Sequence, residues 1–277
     1  LSFDSALEIL RFRKKMNEQF SRKEKQAKII DFIKEYFYCN ESVAEAVYNY
    51  FNEQFYYAKI PDETKVLIEF YNGEKKYAIF HTLYGRRVND ALSRAIAYLI
   101  GQKTKRDIEI GIRDNGFYLA GENLPIDEAL KVLKSKDLDE ILNEAIKNTE
   151  ILKRRFRHCA ARSLMILRNY KGVKRTIGVQ HMKSFFLLSA LNKISKNFPI
   201  LKEARREVLE DLMDINKAKL VLDWIESGKV KIEKITTKLP SPFALSIVIE
   251  GYSDLMKLED KIEFLKRMHK MHVEGMK

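Results

Sequence analysis

The side chains of this 277-residue sequence best suited to chemistry are cations, and they are gathered in one place. Between Ile151 and Ile200 stand twelve lysines and arginines: Lys153, Arg154, Arg155, Arg157, Arg162, Arg168, Lys171, Lys174, Arg175, Lys183, Lys193 and Lys196. The same stretch holds no aspartate or glutamate. Removing those twelve from the 51 Lys and Arg of the chain leaves 39, against 39 Asp and Glu, so this block carries the whole net charge of +12. A concentrated positive surface draws a polyanion through its field and through release of condensed counterions. Solvated helix faces usually mix both signs, and this block does not. Nucleic acid is therefore the expected partner, ahead of another acidic partner or a membrane surface.

Catalytic sets are not apparent, and neither catalytic residues nor metal ligands are expected. A phosphate-binding loop needs glycines that let backbone N–H groups surround phosphate, followed by Lys and Ser/Thr. Gly172-Val173-Lys174-Arg175-Thr176 keeps only the end of that pattern, and Asp127-Glu128 opens a helix instead of ending an apolar strand. ATP hydrolysis by this chain alone is not expected. Its five histidines, His81, His158, His181, His269 and His272, form no zinc-ligand grouping; His269 and His272 read as a surface pair on a charged helix. No Gly-x-Ser-x-Gly nucleophile elbow occurs. One remote enzymatic reading exists: Pro61-Asp62 followed by Glu74-x-Lys76 imitates the Pro-Asp…Glu-x-Lys pattern of metal-dependent nucleases. Exposed hairpin charges explain it equally well.

The elements that must position the cations read as follows. Residues 3–55 carry three helical periods, the third capped by Asn40, with Tyr and Phe between 36 and 57 at core spacing that also offers stacking faces. Lys65–Tyr71 alternates Val66, Ile68 and Phe70 before Asn72-Gly73 and a second apolar run, a hairpin signature repeated at Asp107–Ala120 around Asp114-Asn115-Gly116. A helix over Val88–Lys103 lies between them. From Ile126 to about Ser227 the period is helical, broken near Lys171–Gly178 and at Pro199. Strands return at Val230, Ile232 and Ile235 and over Ala244–Ile249, and Leu255–Met271 closes as a helix. The expected class is α+β: a small antiparallel, barrel-like sheet, with hairpins near 65–83 and 107–120 and further strands near 229–249, embedded in a mostly helical domain. The expected organisation is an N-terminal helical segment, 1–60, and a domain over 61–277 containing a basic helical subdomain at about 126–227.

Composition bounds the class. With 45% hydrophobic residues the chain can bury a core, and 11 Gly and 5 Pro are too few for a linker protein. Two distant cysteines, Cys39 and Cys159, make neither a disulfide framework nor a cysteine zinc site and suit a reducing cytoplasm. No run approaches the ~18 apolar residues of a membrane helix, so no membrane association is expected. The opening Leu1-Ser2-Phe3-Asp4 is not a signal peptide and lacks an initiator Met, which points to a piece of something longer.

Five blocks in order carry a family resemblance: FHTLYGRRVNDALSRAIAY (80–98), GIRDNGFYL (111–119), RRFRHCAARSLMILRNYKG (154–172), LKEARREVLEDLMD (201–214) and LPSPFALSIVIEGYSDLMKLED (239–260). Together the chain resembles, over about 65–275, the DEAD/H-associated domain that follows the motor and winged-helix domains of archaeal Lhr-type helicases. The resemblance implies an accessory part of an ATP-dependent, 3′-to-5′ helicase involved in DNA repair. Its barrel-like module would help surround the tracking single strand of DNA or a DNA/RNA hybrid. The motor and winged-helix domains would be its partners, and ATP and Mg would be bound by the motor. This chain would hold no cofactor.

Two sets of contacts are expected. Gly85, Arg86, Arg87 and Asn89 lie at the loop after the second strand, where a helix N-terminus offers donors to phosphate; Arg87 has the alternative of bracing carbonyls. Arg154, Arg155, Arg157 and Arg162, with Lys171, Lys174 and Arg175, form the second set, read from charge. A helix over Ile151–Tyr170 would place arginines against its dipole, which calls for phosphate or for acids such as Glu203, Glu207 or Glu210; a mixture of both is expected. Trp224 reads as core. The alternative to nucleic-acid binding is a scaffold whose basic block docks a motor or repair partner.

Overall fold

A computed structural model describes residues 1–252 apart from Glu74 and Lys196, together with Lys266. The expected helix at Leu255–Met271, with His269 and His272, lies outside the described residues, as do Glu74 and Lys196.

Three helices open the chain: α1 (Phe3–Ser21), α2 (Gln26–Phe37) and α3 (Glu41–Tyr57). Each start has a local cause. Ser2 accepts from the Ser5 N–H at 3.1 Å, and Asn40 caps α3 by accepting from the Val43 N–H at 3.0 Å, as its sequence position predicts. Tyr38, in the left-handed region at φ 50°, ends α2. The helices enclose a small core of Phe12, Met16, Phe20, Ile29, Ile33 and Phe51. The first half of α1 instead sends Phe3, Ala6 and Leu10 into the main core, so one helix spans both.

The sheet follows. Strands β1 (Lys65–Asn72) and β2 (Lys76–His81) pair antiparallel, then come α4 (Arg86–Thr104) and the pair β3 (Glu109–Arg113) and β4 (Gly116–Gly121). Both predicted hairpins therefore form. The second turns so tightly beside β2 that a Cβ on Gly116 would come within 2.2 Å of the Phe80 carbonyl oxygen, which excludes any side chain there.

Short helices α5 (Ile126–Val132) and α6 (Leu138–Ile146) lead to α7 (Glu150–Arg162). The expected helix over Ile151–Tyr170 stops at Arg162, because Leu164 turns left-handed at φ 60° and the Ile166 N–H doubles back on the Ala160 carbonyl at 3.0 Å. Residues beyond it form a small hairpin, β5 (Asn169–Tyr170) and β6 (Val173–Lys174), whose two turn residues, Lys171 and Gly172, both have positive φ, 48° and 76°. That is the primed turn a two-residue hairpin requires.

Helix α8 (Ile177–Ile194) returns along α7, and α9 (Pro199–Arg206) runs into a π-helical turn at Glu207–Leu212 before α10 (Ile215–Glu226), β7 (Lys231–Thr237) and α11 (Pro242–Tyr252).

The sheet order is β3-β4-β2-β1-β7, with β7 parallel to β1. This corrects the expected architecture in three respects. The sheet is open, with β3 and β7 at its edges, and not a barrel. It is mixed, since β7 reaches β1 through a long crossover. Residues 244–249 are helical: the run is apolar except for Ser246 because α11 lies over the sheet, with Ala244, Ile247 and Val248 against Tyr77, Ile79 and Tyr118, and a short, mainly apolar run does not distinguish strand from helix. The opposite sheet face, Ile68, Ala78, Phe80, Phe117 and Leu119, packs on α4 in the main core.

Candidate nucleic-acid interface

Helix α7 is built to present cations on one side and bury the other. Thr149 caps it, Glu150 occupies its first turn and pairs with Lys153 at 2.6 Å, so the acid-free stretch begins immediately after a normally charged helix start. Leu152, Phe156, Cys159 and Ala160 face the core. Arg154 and Arg162 are exposed, while Arg155 and Arg157 are half-buried. Glu207, itself only 4% exposed, binds Arg162 through a charge-assisted hydrogen bond and lies 3.8 Å from Arg155. Two of the four helix arginines are therefore anchored by an internal acid. Glu203 and Glu210 pair with Arg206. Beyond α7, Arg168, Lys171 and Lys174 are exposed along the hairpin, and Arg175 is half-buried with its Nε lacking a hydrogen-bond partner.

The junction before α4 differs from expectation. Gly85 takes φ +86° there. The first N–H of the helix, that of Arg86, donates to the Asp114 carboxylate at 3.0 Å, so an internal acid fills the place a phosphate would take. Arg86 itself is exposed. Arg87 braces carbonyls, donating to Glu210 O and to Met213 O at 3.1 Å, though these belong to the π turn and the residue after it and not to the sheet. Asn89 is fully buried and donates to the carbonyls of Arg113 and Asp114 at 2.8 and 3.2 Å, clamping the β3–β4 turn. Its side chain faces the frame of the site and not its surface. The two arginine sets thus meet the same segment: Glu207 holds Arg155 and Arg162, and Glu210 and Met213 receive Arg87.

The local field is visible in one titratable group. Partial burial, then the nearby guanidinium groups of Arg157, Arg154, Arg155 and Arg168, hold His158 below the ordinary histidine range. Four guanidinium groups around one imidazole make its surroundings electropositive, with Glu207 offsetting part of the charge at Arg155.

Asp62 sits before β1 and Lys76 opens β2 opposite Asn72 at its far end, so a strand of ~3.3 Å per residue holds them about 23 Å apart. The nuclease-like pattern therefore does not assemble; Asp62 instead bonds Thr64 and Lys65 beside the strand start. Trp224 packs against Phe3 with ring centroids 6.0 Å apart, as core. Among the described residues no group of three or more His, Cys, Asp or Glu is arranged for a metal, and no helix is long and apolar enough to cross a membrane.

Two features escaped sequence reasoning. Asp114 is distant in sequence from the Arg86 N–H whose hydrogen bond it accepts, whereas Glu207 is one of the acids expected to pair with the block and does so. On α8, Met182, Phe185 and Phe186 are 58%, 57% and 65% exposed. Their signal was present: the apolar residues of 177–194 are not confined to one side of the helix, more than one buried face requires.

The DEAD/H-associated family model matches residues 60–244. The chain belongs to the DEAD/H-associated family. Relatives of this DEAD/H-associated chain include the ATP-dependent helicase Lhr-Core of Methanothermobacter thermautotrophicus, 46% identical over 280 residues, covering 100% of this chain and 32% of that protein. The protein of the same name from Saccharolobus solfataricus is 40% identical over 284 residues, covering 99% of this chain and 32% of its own length. The chain thus spans about a third of these relatives. Among solved structures, the Mycobacterium smegmatis helicase Lhr bound to ssDNA and AMP-PNP matches with a TM-score of 0.76 at 22% identity, over 89% of this chain and 31% of that one. At that identity the match establishes a shared DEAD/H-associated fold.

Proposed function

We propose that this DEAD/H-associated chain is a nucleic-acid-binding accessory region of an Lhr-type helicase, acting in the cytoplasm and helping to hold the tracking single strand. The observation that carries the reading is the acid-free run of sequence from Ile151 through the β5–β6 hairpin and α8, with His158 depressed among its arginines. A homologous fold solved with ssDNA supports it. The contacts are to phosphate and position the strand without reading its sequence. Arg86, Arg154, Arg157, Lys171, Lys174 and Arg175 make them, while Arg87, Asn89, Arg155 and Arg162 act chiefly by holding the surface in shape. ATP and its divalent metal belong to the motor of the longer protein, with motor and winged-helix domains as neighbours; this chain is not an enzyme by itself.

The test is fluorescence anisotropy with a short single strand across a salt series. The reading expects log affinity to fall with log salt at a slope of several units, and Arg154→Ala to reduce that slope by about one. A flat salt response contradicts it. A second reading, docking to a motor or repair protein, is favoured by the exposure of Leu164, Val173 and Ile194; it expects capture of a purified motor fragment and no binding of oligonucleotide.

A further inference from the structure

Helix α8 buries Ser184, Leu188 and Leu191 and leaves Met182 and Phe185 beside a groove of about 380 Å³ opened by the start of α7. Gly178 lies along the groove, and a Cβ there would meet nothing within 4 Å, so the space is open where a side chain would ordinarily stand. The ring of Phe185 lies 5.9 Å from that of Phe186 in an edge contact, which leaves a large part of each face to solvent. At the rim, Glu150 is the one acid; Lys153 bonds it at 2.6 Å, and that bond holds its carboxyl below the ordinary range. His181 stands on the same rim.

An exposed aromatic face beside a small open groove, on a stretch of sequence whose fifty residues contain twelve cations and no acid, matches a ligand that is flat, apolar on its faces and anionic along its length. A single-stranded nucleic acid is such a ligand. Duplex bases are already stacked on one another and cannot offer a face to Phe185 without leaving the helix. We propose that the α7–α8 groove seats an unpaired base against Phe185. This rests on the nucleic-acid reading above and adds to it a contact to the base, which makes the surface selective for single strands. An acidic protein helix is the rival occupant; within the groove Glu150 and Lys153 are paired with each other, and it is the flat aromatic wall that favours the base.

The experiment uses the 277-residue chain, an oligothymidylate and a strand of equal length carrying abasic sites, each titrated by anisotropy over a salt series. Phe185→Ala should weaken binding of the intact strand roughly tenfold, the order expected for one stacked base, with the salt slope unchanged. Binding of the abasic strand should not change. Gly178→Leu projects a side chain into the groove while leaving Phe185 in place and should give the same result; since a Cβ there meets nothing within 4 Å, it also serves should Phe185→Ala fail to fold. Wild-type affinity for the intact strand in both variants would overturn the proposal in favour of a protein occupant. So would an equal loss for both strands, which would place the effect on the phosphates. A wild-type chain that binds neither strand at low salt overturns the nucleic-acid reading itself, and the groove assignment with it.

Discussion

At the scale of single residues, the most sensitive reporter is His158. Its pKa lies below the ordinary histidine value of 6.5 through burial and the charge of four neighbouring arginines. A phosphate backbone laid across those arginines cancels their repulsion, so binding must raise the pKa, and the complex must take up protons as pH falls through the range between the free and bound values. We predict that the imidazole resonances titrate at a higher pH with oligonucleotide than without, and that affinity strengthens toward lower pH over that window. An unchanged titration curve would place the strand away from Arg154, Arg157 and Arg168. Residue identity alone made α7 legible as a charged surface. It did not reveal which arginines are held: Arg162 and Arg154 look alike in sequence, and only the fold brings Glu207 to one of them.

At the scale of elements, the sheet depends on a buried polar joint that charge and spacing do not announce. Glu69 on β1, fully buried, accepts from His81 at 2.9 Å, from the Ser241 N–H and hydroxyl at 2.7 and 2.6 Å, and from Thr237 at 2.8 Å. It ties β1 and β2 to the end of β7 and the start of α11. Burial pushes its carboxyl up, but the bond and charge of His81 and the two Ser241 bonds outweigh it, and the group lies below its ordinary value of 4.5. A depressed carboxyl stabilises the fold above the unfolded value and loses that contribution as pH falls through the folded one. Glu69→Ala, which leaves buried donors unpaired, should cost about 3 kcal/mol at neutral pH, read by denaturant unfolding. The gap to wild type should narrow in acid; a gap that persists there would deny the ionised joint. The hairpins were legible because their alternation and turn residues agree. The overrun of α7 and the strand assigned to 244–249 were not, since a left-handed Leu164 and an apolar helix over a sheet leave no local mark.

At the scale of the whole molecule, one stretch of the sequence carries the net charge and the rest is neutral. The remaining residues balance 39 against 39, and the ion pairs outside the block link acids and bases across elements, as Lys59 and Glu233 do at 2.8 Å and Lys75 and Glu109 do at 2.6 Å. The carboxylates that pair with Lys153, Arg155 and Arg162 of the acid-free block, Glu150 and Glu207, lie just outside its limits. Charge segregation was readable from composition, whereas the gathering of both arginine sets on the turn at Glu207–Met213 required the crossovers of the chain.

The most direct measurement is lysine footprinting of the chain with and without an oligothymidylate at low salt. The account predicts that Lys171, Lys174 and Lys183 lose reactivity on binding, while Lys131, Lys136 and Lys147, on the acid-rich helices that precede the block, react unchanged. Protection of the second group, or of neither, would contradict it.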